Sequence, residues 1–497
     1  MICLEHKKVE DVKLYIDGSF VDAGGSGYFN NLNPFTNEVM NRVAKGGKTD
    51  IEKAAHVANE AFQNGPWGSM KQKERMAYID RIADLIAEEV EEIAVLESLD
   101  TGLPISQTRK MVSRASENFR FYSRMVQSRM HGDAYQVDDE FINYTVYQPL
   151  GAVGLITPWN APFMLTTWKV APALATGNTV ILKPAELSPL SANKLAEIMV
   201  RAELPKGVFN VVHGYGETAG DALVKNDKMK AISFTGETVT GKTIIKNSAD
   251  SLKKTSMELG GKSPLIVFDD ADFERALDAA VWGIFSFNGE RCTANSRVFL
   301  HKSIEDKFVE ELRKRVDKIS IGDPMNPATE VGPLIDKGHF DKVTGYIDIA
   351  REEGCEVVQG TVPGAMKAGN FVPPTIFLNA KNNMRVCQDE IFGPIMSVIA
   401  FETEEEVIEM ANDTEYGLAG YVWTNDIKRG HRVAQAVDSG MLWINAQNIR
   451  DLRIPFGGMK GSGVGREGGH FAILEFYTEP KAIHVALGEH RIPQWGK

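Results

Sequence analysis

From Lys71 to Leu99 the apolar residues Met76, Ile79, Ala83, Ile86, Val90, Ile93 and Leu96 recur at steps of three and four, with Glu and Arg between them. That spacing predicts one long amphipathic helix. The run DTGLP, Asp100 to Pro104, ends it through Gly and Pro. Further along the period changes. GAVGLIT (151–157), TVILKP (179–184), GVFNVVHG (207–214) and KAISFTG (230–236) are short and rich in β-branched residues, and read as strands. SANKLAEIMVRA (191–202) and a segment near Thr240 read as helices between and after them. Strand and helix in alternation predict βαβ units and a parallel sheet. A second series runs from SPLIVFDDAD (263–272) through the helical DFERALDAAVWGIFSF, the strand SRVFLH (296–301) and the amphipathic SIEDKFVEELRKRVDKI. The chain therefore reads as α/β, with a second α/β unit over roughly 259 to 460. DEFINYTVYQPL (139–150) and EPKAIHVAL (479–487) alternate in strand fashion outside both series, and are candidates to pair as a small separate sheet.

Length agrees with this division, since 497 residues exceed what one core organises. A formal net charge of −12 argues against nucleic acid or an anionic membrane as partner. It does not forbid an anionic small substrate, because local charge can oppose the global sign. The uncharged run Phe141 to Trp168 is long enough to suggest a membrane span, but Pro149, Gly151, Gly154, Pro158, Asn160 and Pro162 break it. The first residues carry charges and no apolar signal core. Only four cysteines occur, Cys3, Cys292, Cys355 and Cys387, without C-x-x-C spacing or a His cluster. Neither a metal site nor a disulfide framework is expected, and a reducing cytoplasm suits the chain.

Candidate chemistry sits in four short motifs. In FSFNGERCTA (285–294), Cys292 follows Asn288, Gly289, Glu290 and Arg291, which reads as a surface or cleft segment suited to a reactive thiol. In FTGETVTG (234–241) a strand ends in Thr-Gly and opens a helix, an anion site suited to a pyrophosphate. An ordinary strand-to-helix turn reads the same way. Lys183 and Glu186 of KPAE follow a strand, where open α/β sheets bind ligands. A carboxylate there accepts from a ribose diol and repels a 2′-phosphate, though a solvated ion pair is the plainer alternative. Glu258 of ELGGKSP lies at the border of the two series as a candidate base, or as a capping carboxylate. Asn160 of PWNAP offers an amide donor for an oxyanion, or an Asx-turn.

Taken together and in order, PWNAP, LKPAE, FTGE, MELGGKSP, FNGERCTA, EIFGP (390–394) and PFGG (455–458) resemble the NAD(P)-dependent aldehyde dehydrogenase family over essentially the whole chain. The resemblance implies two Rossmann-like parallel-sheet domains and a small β oligomerisation arm. The NAD-binding domain would span 1–126 and 150–258, the catalytic domain 259–476, and the arm 127–149 and 477–497. It implies Cys292 as nucleophile, Glu258 as general base and Asn160 as oxyanion donor. Lys169 would be a buried lysine near the base, and Glu467 a second acidic residue in proton movement. It implies NAD as cofactor, held by Thr157, Pro158, Trp159, Lys183, Glu186, Gly216, Phe234, Thr235, Gly236, Thr240, Leu259, Glu390 and Phe392. Glu237 stands where many members carry Ser, so a hydroxyl contact to pyrophosphate is not carried over. The chemistry implied is thiolate attack on an aldehyde, a thiohemiacetal, a thioester and hydrolysis to the acid. The thiolate would be favoured by a helix and amide environment or by proton transfer toward Glu258.

For substrate, NAQNIRDLRIPFGG (445–458) places Arg450 and Arg453 around Asp451. Arginine is the preferred fork for a carboxylate. One arginine paired with Asp451 and the other in solvent is the alternative. TGLPISQT (101–108), RASENFRF (114–121) and YQVDDEFINYT (135–145) strengthen a resemblance to the hydroxymuconic and aminomuconic semialdehyde dehydrogenases of aromatic degradation. That resemblance implies an anionic semialdehyde, with Arg453 as the best-matched carboxylate contact, Arg450 and Arg114 as further candidates, and Trp168, Phe287 and Phe456 walling the tunnel. A general or betaine-type aldehyde dehydrogenase is the alternative on the same fold, and a non-catalytic binding protein the alternative from another class. A homodimer or homotetramer is expected.

Overall fold

The computed structural model describes residues 9–25, 27–366 and 369–496, so Cys3 lies outside the described residues. Two large sheets organise the chain. The first has eight strands, of which Lys254–Glu258, Ala231–Thr235, Ala152–Thr157, Thr179–Pro184 and Phe209–Val211 are adjacent in that order and parallel. Leu14–Ile16 and Ser19–Val21 add antiparallel strands at one edge. The period of two explains the double burial. Val153, Leu155, Val180 and Leu182 pack into one apolar cluster with Leu174, Ala196 and Met199. Ala152, Ile156, Ile181 and Ile232 pack into another with Ala54, Ala58 and Leu223. Strands covered by helices on both faces need apolar residues at nearly every position, as these have.

The second sheet has seven strands. Thr375–Leu378, Ile395–Phe401, Arg297–His301, Pro264–Val267, Ala419–Trp423 and Met441–Ile444 run parallel, with Glu356–Gln359 antiparallel at one edge. The two outlying strands pair as expected: Thr478–Ala486 lies antiparallel to Phe141–Pro149, which also pairs with Ala134–Val137. No helix among the described residues is long and apolar enough to cross a membrane.

Two expectations are corrected. The helix expected over 71–99 is two helices, Gln72–Glu88 and Val90–Thr101, broken at Glu89. The carboxylate of Glu89 is drawn to Lys194 and Arg201 on a neighbouring helix, while Ile82, Ile86, Ile93 and Ala94 on both sides of the break feed the same core. The stripe continues across the bend, so periodicity alone does not reveal it. Second, the stretch after Ser462 expected with the second unit turns back onto the first. Gly463–Val464 pairs with Lys254–Glu258, and Ala472, Ile473 and Phe476 enter the first core. Arg114 sits in a regular helix, Ile105–Arg129.

Candidate active site

Chain order in the first sheet creates a crevice. From Ala152–Thr157 the chain moves outward to Thr179–Pro184 and Phe209–Val211, then returns to Ala231–Thr235 on the other side. Ligands bind at such a reversal, beyond the carboxyl ends of the strands. Both strands at the reversal end in motifs singled out above: Thr157 leads into Pro158 and Trp159, and Phe234 and Thr235 lead into Gly236. Thr240 lies in the helix Thr238–Ser248, whose preceding residue Glu237 makes no side-chain capping bond. Its first backbone N–H groups thus have no carboxylate or hydroxyl cap and remain available to an anion. The buried hydroxyl of Thr235 has no hydrogen-bond partner. At the neighbouring strand end Lys183 Nζ lies 2.8 Å from Glu186 Oε2, forming the ion pair weighed as the plainer reading while still facing the crevice edge. Gly216 opens the turn after Phe209–Val211, and Leu259 follows the last strand as a buried residue.

The second sheet contributes a loop from across the seam. Glu390 Oε1 accepts from the backbone N–H of Gly261 at 2.8 Å, and burial raises this carboxyl to about 7. Phe392 meets Trp159 edge to face, with ring centroids 5.4 Å apart. Residues from both units therefore close on the same crevice.

The nucleophile loop departs from expectation. Asn288, Gly289, Glu290 and Arg291 are buried rather than on a surface. The side chains of Asn288 and Glu290 find backbone partners instead of water. Asn288 Nδ2 donates to Pro333 O at 2.9 Å and its Oδ1 accepts from Gly332 N at 2.7 Å. Glu290 Oε1 accepts from Ile335 N at 3.0 Å. Gly289 has φ +74° and passes so close to Gly393 that a Cβ would lie 2.1 Å from its carbonyl carbon, so only glycine fits. Cys292 follows this turn at the floor of a cavity of about 460 Å³. Asn160 lines the same cavity. Its Nδ2 donates to Glu290 O at 2.8 Å, which leaves the second N–H of the amide for a ligand oxygen.

Burial pushes the Cys292 thiol up to about 11; Arg450 and Arg291 oppose that rise, while Glu390 and Glu258 add to it. No helix begins at Cys292. The thiol is therefore not itself at a helix N-terminus, and the two guanidinium groups are the opposing positive charge. Glu258 is buried and neither of its carboxylate oxygens has a hydrogen-bond partner. Burial raises its pKa well above the ordinary value, Glu467 adds to the rise, and Lys169, Arg466 and Arg450 reduce it. Its Oε1 sits over Gly457 of PFGG, where a Cβ would lie 2.8 Å away. Behind it Lys169 ion-pairs with Glu467 and donates to Ser233 Oγ at 2.8 Å. Backbone bonds between Phe456 and Glu467, at 2.6 and 2.7 Å, tie this buried pair to the cavity wall.

Trp168, Phe287 and Phe456 all line the cavity. So do Arg450 and Arg114. Arg450 lies over the rings of Phe456 and Trp443, 4.4 and 5.5 Å from their centroids. Arg114 shares its helix face with Met111 and Asn118, at helical spacing, and stands at the solvent side. Arg453 is the correction: it is not among the lining residues. Its side chain is 76% exposed and its guanidinium is forked onto Asp451, 2.6 Å at the closest pair. A neighbour two residues away satisfies it, and the chain direction carries it outward while Arg450 turns in. Sequence reasoning missed Arg291, which also lines the cavity. Its only signal was a place next to the thiol in FNGERCTA.

Residues 20–483 match the aldehyde dehydrogenase family, and the chain belongs to that family. Among its relatives is the 5-carboxymethyl-2-hydroxymuconate semialdehyde dehydrogenase of Escherichia coli, 48% identical over 93% of this chain and 99% of that protein. The crystal structure of HpcC from Thermus thermophilus superposes with a TM-score of 0.95 at 48% identity, covering 98% of this chain and 95% of that one. An NAD⁺ complex of aldehyde dehydrogenase from Bacillus cereus superposes with a TM-score of 0.93 at 41% identity, covering 96% and 97%.

Proposed function

We propose that the protein oxidises a carboxylate-bearing semialdehyde of the 5-carboxymethyl-2-hydroxymuconate type to the acid, with NAD as acceptor, in the breakdown of aromatic compounds. One observation supports the substrate class above others: Arg450 and Arg114 border the cavity that ends at Cys292, and neither has an ion-pair partner among the described residues. In a chain of net charge −12, cations left unpaired around a cavity make a local anion site. Arg450 is the better-placed carboxylate contact, with Arg114 at the mouth; this role passes from Arg453.

The strand-end crevice suits NAD: free N–H groups at the Thr238–Ser248 terminus for pyrophosphate, Lys183 and Glu186 for the adenosine ribose, Glu390 and Phe392 toward the nicotinamide ribose. When bound, the nicotinamide supplies the acceptor for the aldehyde hydrogen. The protein's own part begins at Cys292, whose sulfur bonds to the aldehyde carbon to give a thiohemiacetal. The free N–H of Asn160 and the backbone N–H of Cys292 hold the oxyanion. After oxidation the acyl group rests on sulfur as a thioester. Glu258, once ionised, takes a proton from water, and the hydroxide attacks the acyl carbon and releases the carboxylate and thiol. Lys169 and Glu467 lie behind Glu258 as the route by which that proton is passed on. The paired β arm supports a homodimer or homotetramer. Three described cysteines free of disulfides suit a reducing cytoplasm.

The test is a comparison of kcat/KM for muconic-type semialdehydes and neutral aldehydes in wild type, Arg450→Gln and Arg453→Ala. Wild type prefers the anionic substrates, and Arg450→Gln lowers that preference by about 10- to 100-fold. Arg453→Ala leaves it within about twofold, as expected of an exposed ion pair. Equal use of neutral aldehydes by the wild type would favour a general or betaine-type enzyme instead.

A further inference from the structure

Besides Arg450 and Arg114, a third cation lines the cavity, and nothing above gives it a contact with substrate. Arg291 is 8% exposed and adjacent in sequence to the nucleophile. Its guanidinium is clamped between aromatic faces, 4.2 Å from the Phe287 centroid and 4.6 Å from that of Trp282. Nη2 donates to Ser286 Oγ at 2.6 Å. Nη1 is buried with no partner. No carboxylate of the described residues forms an ion pair with it, and the nearest in sequence, Glu290, is turned away onto the N–H of Ile335.

A guanidinium stays charged, and burying one beside an unfilled donor costs stability that a structural role would not demand. Leu or Met would pack against the same two rings. An unpaired buried cation on the wall of a substrate cavity is a site lacking its anion. The relative from Escherichia coli is named for a substrate with two carboxylates. One ends the conjugated chain. The other is a short carboxymethyl arm on the carbon next to the aldehyde. A group bonded one carbon from the reacting centre must lie beside Cys292 when the aldehyde meets the sulfur. Arg114, exposed at the solvent side of the cavity, suits the far carboxylate.

We propose that Arg291 is the specificity-determining residue for the second carboxylate, holding an acidic arm borne next to the aldehyde carbon through its unpartnered Nη1. The inference rests on the semialdehyde reading above and adds to it a residue that selects for the arm. The aromatic clamp fixes the fork so that little is lost in ordering it on binding.

The test compares two semialdehydes that differ only in the arm, 5-carboxymethyl-2-hydroxymuconate semialdehyde and 2-hydroxymuconate semialdehyde, in wild type, Arg291→Leu and Arg291→Lys. The readout is the ratio of their kcat/KM values. Both substrates are measured on one preparation, so the ratio is independent of the fraction that folds and of any common effect on the thiol. The expected result is a fall in the ratio of about 10- to 100-fold in Arg291→Leu, carried mainly by KM, with a smaller fall in Arg291→Lys. An unchanged ratio in Arg291→Leu overturns the proposal, since the residue would then serve both substrates alike. So does a wild type that does not prefer the armed substrate. Both failures leave intact a preference for muconic over neutral aldehydes, which is the separate measure of the broader reading.

Discussion

Two titratable groups of the proposed mechanism are shifted against the protonation state it asks of them. Burial raises both the Cys292 thiol and the Glu258 carboxyl; Glu390 and Glu258 add to the rise at the sulfur and Glu467 to the rise at the carboxyl, because a neighbouring negative charge disfavours ionisation. Only guanidinium and ammonium groups offset this, Arg450 and Arg291 at the sulfur and Lys169 with Arg466 and Arg450 at the carboxyl. Turnover therefore gains as pH rises from neutral, since both groups act as their anions. In the proposed mechanism Glu258 is needed after the thioester forms. Glu258→Gln is expected to lower steady-state kcat by about 100-fold or more, yet to retain a rapid release of one NADH per site. Rapid-mixing absorbance checks this; loss of the burst along with turnover would place Glu258 at the earlier step. Cys292, Glu258 and Asn160 were all legible in the sequence, because each sits in a short motif of unusual composition. Arg291 was not, because nothing in the letters E-R-C says that its cation is buried and unpaired.

At the scale of elements, the helix Val90–Thr101 carries two carboxyls into the core. Glu97 accepts from Phe163 N at 2.6 Å, and Asp100 accepts from Leu190 N at 2.8 Å and Asn31 Nδ2 at 2.7 Å. Burial outweighs those bonds and raises them to about 8 and about 7. The folded state thus keeps protons that the unfolded chain gives up above its ordinary carboxyl pKa. Stability from these groups is complete below about pH 4 and is lost as pH rises through 7 to 8. Glu97→Gln keeps the acceptor for Phe163 and cannot ionise. It is expected to flatten the decline of the unfolding midpoint between pH 5 and 8.5, measured by urea titration at each pH; an unaltered slope would show that Glu97 is ionised in the folded protein. The sequence predicted this helix from its apolar stripe and its Gly-Pro stop. It did not predict the break at Glu89, because a bend that leaves the stripe facing one core leaves no mark on periodicity. It predicted the pairing of the two outlying strands, because alternation survives without helices on either face.

For the whole molecule, the three-stranded arm is the part left without a partner. Tyr135, Val137, Val485 and Leu487 stand 64%, 47%, 39% and 51% exposed on or beside strands with open edges. Exposed apolar edge strands invite another chain. Tyr135→Lys with Val137→Lys is expected to reduce the assembled mass seen by light scattering, whereas unchanged mass would move the interface elsewhere. The alternation of strand and helix, and the order of the motifs, determined by themselves the α/β class, the family and the candidate residues Cys292, Glu258 and Asn160, since these follow from local period and from chemistry carried in short segments. Only the tertiary structure decided that the nucleophile loop is buried, that the chain after Ser462 returns to the first sheet, and that Arg450 and Arg291 face the cavity while Arg453 is tied to Asp451 in solvent. Burial and side-chain direction depend on contacts between segments far apart in the chain, and no local pattern records them.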